Sequence, residues 1–141
     1  TFISREEFEK DLLANYELMN QAGIAYTDAP YFVPPYEHYN AEIASWAKSM
    51  GIQLINFTPG SGTNADYTTP EMKNYKSSET IYKQVLSKEK EKGLNGYIIL
   101  IHLGTDDKRT DKFYQNGMRK MISKLRKEGY VFTGLAEALN R

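Results

Sequence analysis

The stretch Gly93-Leu-Asn-Gly-Tyr97-Ile-Ile-Leu-Ile-His102-Leu-Gly-Thr-Asp106 decides how the rest of this chain is interpreted. The apolar run 97–101 is short and follows two glycines. Such a run is typical of a strand that a parallel sheet buries on both faces. It ends at His102, and sites in parallel α/β folds form at the carboxyl ends of strands. His102 is therefore a candidate acid or base, although a histidine in this position can also simply bond a neighbouring loop.

Segments of helical periodicity flank this stretch and alternate with short apolar runs. The predicted helices span about 5–21, 40–50, 77–92, 113–128 and 135–139, and the predicted strands span 31–33, 52–57, 97–101 and 130–133. A glycine follows four of these helices, at positions 23, 51, 93 and 129. This order predicts an α/β fold of parallel βα units with right-handed crossovers. Either a small open α/β sandwich or a sector of a β/α barrel fits the pattern.

Composition limits the function classes. The chain has 141 residues, which favours one domain over 1–141, with 18 basic and 18 acidic residues. This balance gives no reason to expect nucleic acid as a partner. The absence of cysteine excludes disulfides and thiolate metal sites. No apolar run approaches the roughly 20 residues of a membrane span, so none is expected.

Three loops follow predicted strands and are expected to converge, because the carboxyl ends of parallel strands meet at one edge of a sheet. They are 34–40, 58–67 and 102–107, and together they contain both histidines of the chain. The second continues to Lys76, and a loop of that length is usually functional or disordered. The acidic residues Asp66, Asp106 and Asp107 are expected to cap turns.

Common catalytic and binding motifs are incomplete. The two histidines are isolated, so the spacing predicts no complete zinc site within the chain. The glycine-rich run 58–63 lacks the lysine of a phosphate-binding P-loop, and no Gly-x-Ser-x-Gly is present. Trp46 is expected in a core, while Tyr67 and Tyr75 could stack on sugar.

Two motifs, taken in order, are similar to those of a known family. Tyr31-Phe-Val-Pro-Pro-Tyr36 is followed, two helices on, by Ile98-Ile-Leu-Ile-His102. They resemble the second half of a polysaccharide deacetylase of the NodB-like carbohydrate esterase family. That family's third motif reads approximately Phe-Arg-Pro-Pro-Tyr, and its fifth reads Leu-x-His. The segments 58–70 and 125–139 are also similar to the family, so the resemblance covers nearly the whole chain.

The resemblance implies a hydrolase with a distorted β/α barrel of NodB type that removes acetyl groups from a carbohydrate. It implies a metal-bound water as nucleophile, an Asp base, and a His, here His102, that protonates the leaving group. Tyr36 would offer its backbone amide to the oxyanion, and Leu100 would line the pocket for the acetyl methyl group. The expected substrate contacts are Pro35, Glu37, His38 and Tyr67.

The chain also departs from the family pattern. The motifs that supply the base and the metal ligands are missing, and Val33 stands where the third motif has Arg. The divalent metal, expected to be zinc, would therefore have its ligands outside this chain, and the chain alone is expected to be inactive. It would pair with a missing N-terminal half of the barrel or with a second copy. The resemblance also implies export to the periplasm or the cell exterior.

Two other interpretations stay open. A non-catalytic glycan-binding relative with the same fold is favoured by Val33. The other interpretation is an unrelated α/β domain, in which the glycine-rich loop at Thr58 binds an anion.

Overall fold

A computed structural model describes residues 3–139 of the protein, which divide into a first unit that ends at residue 56 and a second unit that begins at residue 57. The first unit contains α1 (Arg5–Gln21), β1 (Tyr31–Phe32), α2 (Ala41–Ser49) and β2 (Gln53–Leu54), with 3-10 turns at Tyr26–Asp28 and Pro35–Glu37. The second contains a 3-10 turn at Thr63–Tyr67, then α3 (Ser78–Lys92), α4 (Phe113–Asn116), α5 (Met118–Lys127) and α6 (Leu135–Leu139). The described residues are thus mostly helical with one pair of parallel strands, and the predicted α/β class holds in this coarse form.

Helix α1 begins and ends where the sequence predicts. The Ser4 hydroxyl accepts a hydrogen bond from the Glu7 amide at 3.2 Å, and the Glu7 carboxylate accepts one from the Ser4 amide at 2.8 Å. These two bonds satisfy free amides of the first turn, as a capping box does. At the other end Gly23 adopts φ +84° and donates to the Asn20 carbonyl. This left-handed conformation suits glycine and ends the helix.

The sheet of the first unit is a single βαβ connection. Strand β1 pairs with β2 in parallel, with Tyr31 opposite Gln53 and Phe32 opposite Leu54. The strand predicted at 52–57 is shorter than expected. Its partner β1 stops before Pro34, which has no amide proton to donate to a ladder.

The core of the first unit is apolar. Its buried residues come from α1, from α2 and from the segment before β2, and they are Phe8, Leu12, Tyr16, Ala47 and Ile52. Trp46 packs against them, as predicted, with its ring 5.8 Å from that of Phe8. Burial raises the pKa of the Tyr16 phenol, whose hydroxyl bonds the Ala29 carbonyl at 2.9 Å.

The second unit has its own hydrophobic cluster, which is defined by six buried residues. They are Ile81, Val85, Leu94, Phe113, Met121 and Leu125. The fourth helix, predicted as continuous, is divided at Gly117 into α4 and α5. A Cβ on Gly117 would lie 2.3 Å from the Phe113 ring, so glycine at this position leaves room for that ring in the cluster.

The stretch 97–101 is not a regular strand, which corrects the prediction. One backbone hydrogen bond links it to a distant segment of the chain: the Thr58 amide donates to the Ile98 carbonyl at 2.9 Å. Tyr97, Ile99 and Ile101 pack against the hydrophobic cluster, and all five residues are half-buried. The run therefore has one core-facing side, whereas the prediction expected both sides to be buried.

The segment predicted as a last strand, 130–133, is irregular as well. The Tyr130 amide bonds the Leu125 carbonyl and so closes the end of α5, and Val131 is 86% exposed.

Within residues 3–139, no helix is both long and apolar enough to span a membrane.

Candidate active site

His102 and Asp66 form a hydrogen-bonded pair in the second unit. The imidazole Nδ1 lies 2.6 Å from one carboxylate oxygen of Asp66. The backbone amide of His102 donates to the other carboxylate oxygen at 2.8 Å. Asp66 therefore fixes both the ring and the backbone of His102.

The two side chains differ in exposure, as expected for a histidine that reaches a substrate and a carboxylate that orients it. The side chain of Asp66 is 0% exposed, whereas that of His102 is 34% exposed. An ionised carboxylate only accepts hydrogen bonds, so Nδ1 carries the proton in the neutral ring. Nε2 is then the ring atom that exchanges a proton with a substrate. This is the arrangement in which a buried carboxylate sets the tautomer of a catalytic histidine.

Tyr67 borders the exposed side of this pair. Its ring meets the His102 ring edge to face, with centroids 5.5 Å apart and planes at 69°. The residue is 46% exposed. An aromatic ring in this position can pack against a sugar while it restricts the motion of the imidazole.

The long loop that carries Asp66 is ordered by buried polar residues. We call residues 58–76 the polar loop. Its fully or nearly buried polar side chains are Ser61, Thr63, Asp66, Thr68 and Thr69. The Ser61 and Thr63 hydroxyls are 3.0 Å apart, and the Thr68 hydroxyl donates to the Ala65 carbonyl at 2.7 Å. This last bond closes the 3-10 turn Thr63–Tyr67 and so places Asp66.

Tyr36 lies in the first unit, in a strained turn. Tyr36 has φ 54° and the next residue, Glu37, has φ 58°. Positive φ is uncommon outside glycine, and two such residues in sequence cost free energy that the surrounding structure must supply. Asn56 supports the turn by donating to the Glu37 carbonyl at 3.2 Å. Among residues 3–139, no acceptor bonds the Tyr36 amide, and Tyr36 is 86% exposed.

The other predicted contact residues are placed as follows. Pro35 and His38 are exposed and Glu37 is half-buried, all in the turn of the first unit. Leu100 is half-buried in the second unit and is not part of the hydrophobic cluster. The structure brings the second and third predicted loops together through Asp66 and His102. Convergence with the first loop, 34–40, stays a prediction.

Asp66 is the residue of this candidate site that the sequence alone does not single out. The sequence predicts that it caps a turn, whereas in the structure its carboxylate bonds His102. Asp106 does cap a turn, since its carboxylate accepts from the Lys108 amide at 2.8 Å. The two aspartates look alike in the sequence. The usable signal was the expected convergence of the loops at 58–67 and 102–107, which placed a carboxylate near the histidine.

The glycine-rich start of the polar loop lines a separate open cavity of about 390 Å³. Lys76 and Lys88 both line it, together with Glu91. Lys76 bonds the Gln84 side chain at 3.1 Å, and Lys88 pairs with Glu91 at 3.4 Å. Each ammonium group therefore already has a polar partner, and the anion-binding interpretation gains no direct support here.

Comparisons with known proteins give no relatives. No protein-family model matches the chain, and neither curated proteins nor solved structures give a match. The geometry of the site and the motifs in the sequence are therefore the two sources of evidence for its function.

Proposed function

We propose that this protein is a hydrolase that removes acetyl groups from a carbohydrate, with His102 as the acid that protonates the leaving group. The observation that carries the proposal is the pair of hydrogen bonds from His102 to the buried Asp66. An imidazole that is 34% exposed and held by a buried carboxylate can reach a bound substrate while its orientation stays fixed.

The proton moves at Nε2 of His102. When the acetyl group leaves, the sugar nitrogen or oxygen that carried it must gain a proton. His102 acts as the acid after it has taken up a second proton at Nε2; the imidazolium then gives that Nε2 proton to the leaving group and returns to the neutral ring with its proton on Nδ1. Asp66 is a positioning residue in this step, because its carboxylate holds Nδ1–H and keeps Nε2 directed away from the protein. Tyr67 is proposed to pack against the sugar ring.

Tyr36 is proposed as the oxyanion donor. Deacetylation passes through a tetrahedral intermediate whose oxygen carries negative charge, and a fixed backbone N–H stabilises such an oxygen. The strained turn and the unbonded amide of Tyr36 support this role. Leu100 is proposed to contact the acetyl methyl group, and Pro35, Glu37 and His38 to contact the glycan.

The described residues do not fit a metal site. Within residues 3–139, no group of three or more His, Cys, Asp or Glu side chains is placed to hold an ion. We therefore propose that a divalent metal, zinc by the resemblance, has its ligands outside this chain. The larger β/α barrel, completed by a further segment or by a second copy, is proposed from the resemblance to the deacetylase family.

A second candidate is a glycan-binding protein without catalysis. Val33 favours it, because the family motif has arginine at this position. Val33 is 49% exposed. In that case the Asp66–His102 pair would contribute to the binding surface and no acetate would be released.

The test measures acetate release from acetylated chito- and xylo-oligosaccharides by the whole protein, with and without a chelator. The proposal expects release by the wild type, its loss with chelator, and a fall of about 10²–10⁴-fold in kcat for His102→Gln. Glycan binding by the same variant serves as the control and should change little. Glycan binding without acetate release under any added metal would instead assign the protein to the non-catalytic class.

A further inference from the structure

Arg109 is a fully buried cation that the proposed reaction does not use. It is 0% exposed, and among residues 3–139 it forms no ion pair with a carboxylate within 4.0 Å. A buried guanidinium loses its hydration, so it is retained only where its hydrogen bonds are well placed. The position of its partners should therefore indicate what it does.

The hydrogen bonds of its side chain go to the polar loop. One terminal nitrogen, Nη1, donates to the Thr68 carbonyl and lies 3.5 Å from the Thr68 hydroxyl. The other, Nη2, donates to the Lys76 carbonyl at 3.0 Å. The guanidinium also lies 5.5 Å from the centre of the Tyr75 ring. Arg109 thus bonds two points of the loop that are eight residues apart, which the planar fork of arginine allows.

Thr68 connects Arg109 to the candidate active site. The Thr68 hydroxyl donates to the Ala65 carbonyl at 2.7 Å and accepts from the Lys76 amide at 3.3 Å. These bonds close the turn Thr63–Tyr67, and Asp66 lies within that turn. The path from the guanidinium to the carboxylate that holds His102 therefore passes through Thr68 and Ala65.

Arg109 also belongs to the segment that carries His102. Its own amide donates to the Asp106 carbonyl at 3.0 Å, in the turn that follows His102. One side chain therefore ties the segment 102–109 to the loop that supplies Asp66. The two partners of the catalytic pair come from these two segments.

We propose that Arg109 is a positioning residue that holds the polar loop against the segment 102–109, so that the Asp66 carboxylate meets His102 Nδ1. This inference rests on the proposed function only for its effect on rate. The geometry of the pair can be measured without any substrate.

The experiment uses protein labelled with ¹⁵N-histidine. The chain contains two histidines, so the ring signals are few, and the exposed His38 is an internal control. The wild type should give a His102 Nδ1–H signal that exchanges slowly with water, because Asp66 accepts that proton. In Arg109→Met and Arg109→Lys we expect exchange at least about tenfold faster, with the His38 signals unchanged. Lysine keeps the charge but cannot bond both carbonyls.

A matched control separates positioning from general stability. Leu125→Ala removes apolar contacts in the hydrophobic cluster and leaves the polar loop intact. It should lower the Tm while the His102 signal stays as in the wild type. With active protein, Arg109→Lys should lower kcat by about 10-fold or more and change KM by less than about threefold.

The result that overturns the proposal is a His102 Nδ1–H signal in the Arg109 variants that exchanges as slowly as in Leu125→Ala. If neither Arg109 variant folds, Thr68→Val decides the question, because it keeps Arg109 and removes the hydroxyl that reaches Ala65. If the His102 Nδ1 proton exchanged as slowly in Thr68→Val as in the wild type, the path from Arg109 through the Thr68 hydroxyl to Asp66 would be rejected. A failure of the proposed function would look different: no acetate would be released, and the signals would still respond to Arg109.

Discussion

The hydrophobic cluster and the polar loop are two parts of the same unit that are buried by different forces. The cluster consists of aliphatic, aromatic and thioether side chains that are at most 5% exposed. The polar loop buries the carboxylate of Asp66, the hydroxyl of Thr68 and the hydroxyls of other serine and threonine residues to the same degree. Apolar burial has no direction, whereas each polar group in the loop needs a partner at a defined angle and distance.

This difference assigns the two regions different roles. Apolar contacts stabilise the fold through the surface they bury, and they need no defined angle. A hydrogen-bonded loop holds a single arrangement, and a group misplaced within it leaves buried polar atoms unpaired. We therefore expect substitutions in the polar loop to affect the chemistry of His102 and substitutions in the cluster to affect the free energy of unfolding.

The largest expected effect comes from Asp66→Asn. Asparagine has the same shape, but its amide can present a donor to Nδ1, which favours the wrong tautomer of His102. We expect kcat for acetate release to fall by about 10²–10⁴-fold, and no further than in His102→Gln. Asp106→Asn is the matched control, since Asp106 is exposed and caps a turn on the same segment as His102. Equal activity of the two variants would contradict the assignment of Asp66.

The next effect is on stability. Leu125→Ala should lower the free energy of unfolding by about 2–5 kcal/mol, because Leu125 is 1% exposed and the substitution leaves a cavity. Urea unfolding measures the loss, and activity per folded molecule should stay within about twofold of the wild type. A large fall in that activity would remove the distinction between the two regions.

The sequence predicted the regions that periodicity governs. Phe8, Leu12 and Tyr16 recur at helical spacing, and all three are buried on α1. The capping pattern of Ser4 and Glu7 fixed the start of that helix correctly. These features are local or depend on apolar burial alone, so the sequence of one segment is enough to predict the helix and its buried face.

The rest could not be predicted in the same way. Asp66 bonds a residue 36 positions away, and Arg109 bonds Thr68 at a separation of 41 positions. No local pattern distinguishes these residues from exposed loop residues of the same type. The run 97–101 has the composition of a strand without being one, because apolar composition indicates burial, while a strand also needs a partner with free backbone groups.

A smaller effect tests how tightly the polar loop packs on α3. Gly62 and Gly96 have nearly the same φ, +76° and +75°, but a Cβ on Gly62 would lie 2.7 Å from the Gln84 amide oxygen and one on Gly96 would meet nothing within 4 Å. Gly96→Ala should cost about 1 kcal/mol through backbone strain, and Gly62→Ala about 2 kcal/mol. Equal losses in urea unfolding would mean that Gln84 moves away freely. A Gly62→Ala, Gln84→Ala double-mutant cycle measures the coupling.

The smallest effect concerns Asp111, which joins the segment after Arg109 to the start of α3. Its carboxylate accepts from the Ser78 amide at 2.6 Å and from the Asn116 side chain at 3.1 Å. Burial raises the pKa of Asp111, but hydrogen bonds from Ser78 and Asn116 and the charge of Arg109 outweigh it, so the pKa lies below its ordinary value. The native state therefore favours the ionised carboxylate more than the unfolded chain does.

The sign of the pH dependence follows from that lowered pKa. The stabilisation is fully present above the pKa of the unfolded chain, about 4, and is lost as the pH falls through the lower pKa of the folded state. Asp111→Asn should thus lower the free energy of unfolding by about 1 kcal/mol at pH 7, since a neutral acceptor bonds the Ser78 amide less strongly. Urea unfolding of both proteins from pH 7 to pH 2 should give curves that converge at the acidic end. A difference that stays constant over this range would mean that the charge of Asp111 contributes nothing to the contact with Ser78 at the start of α3.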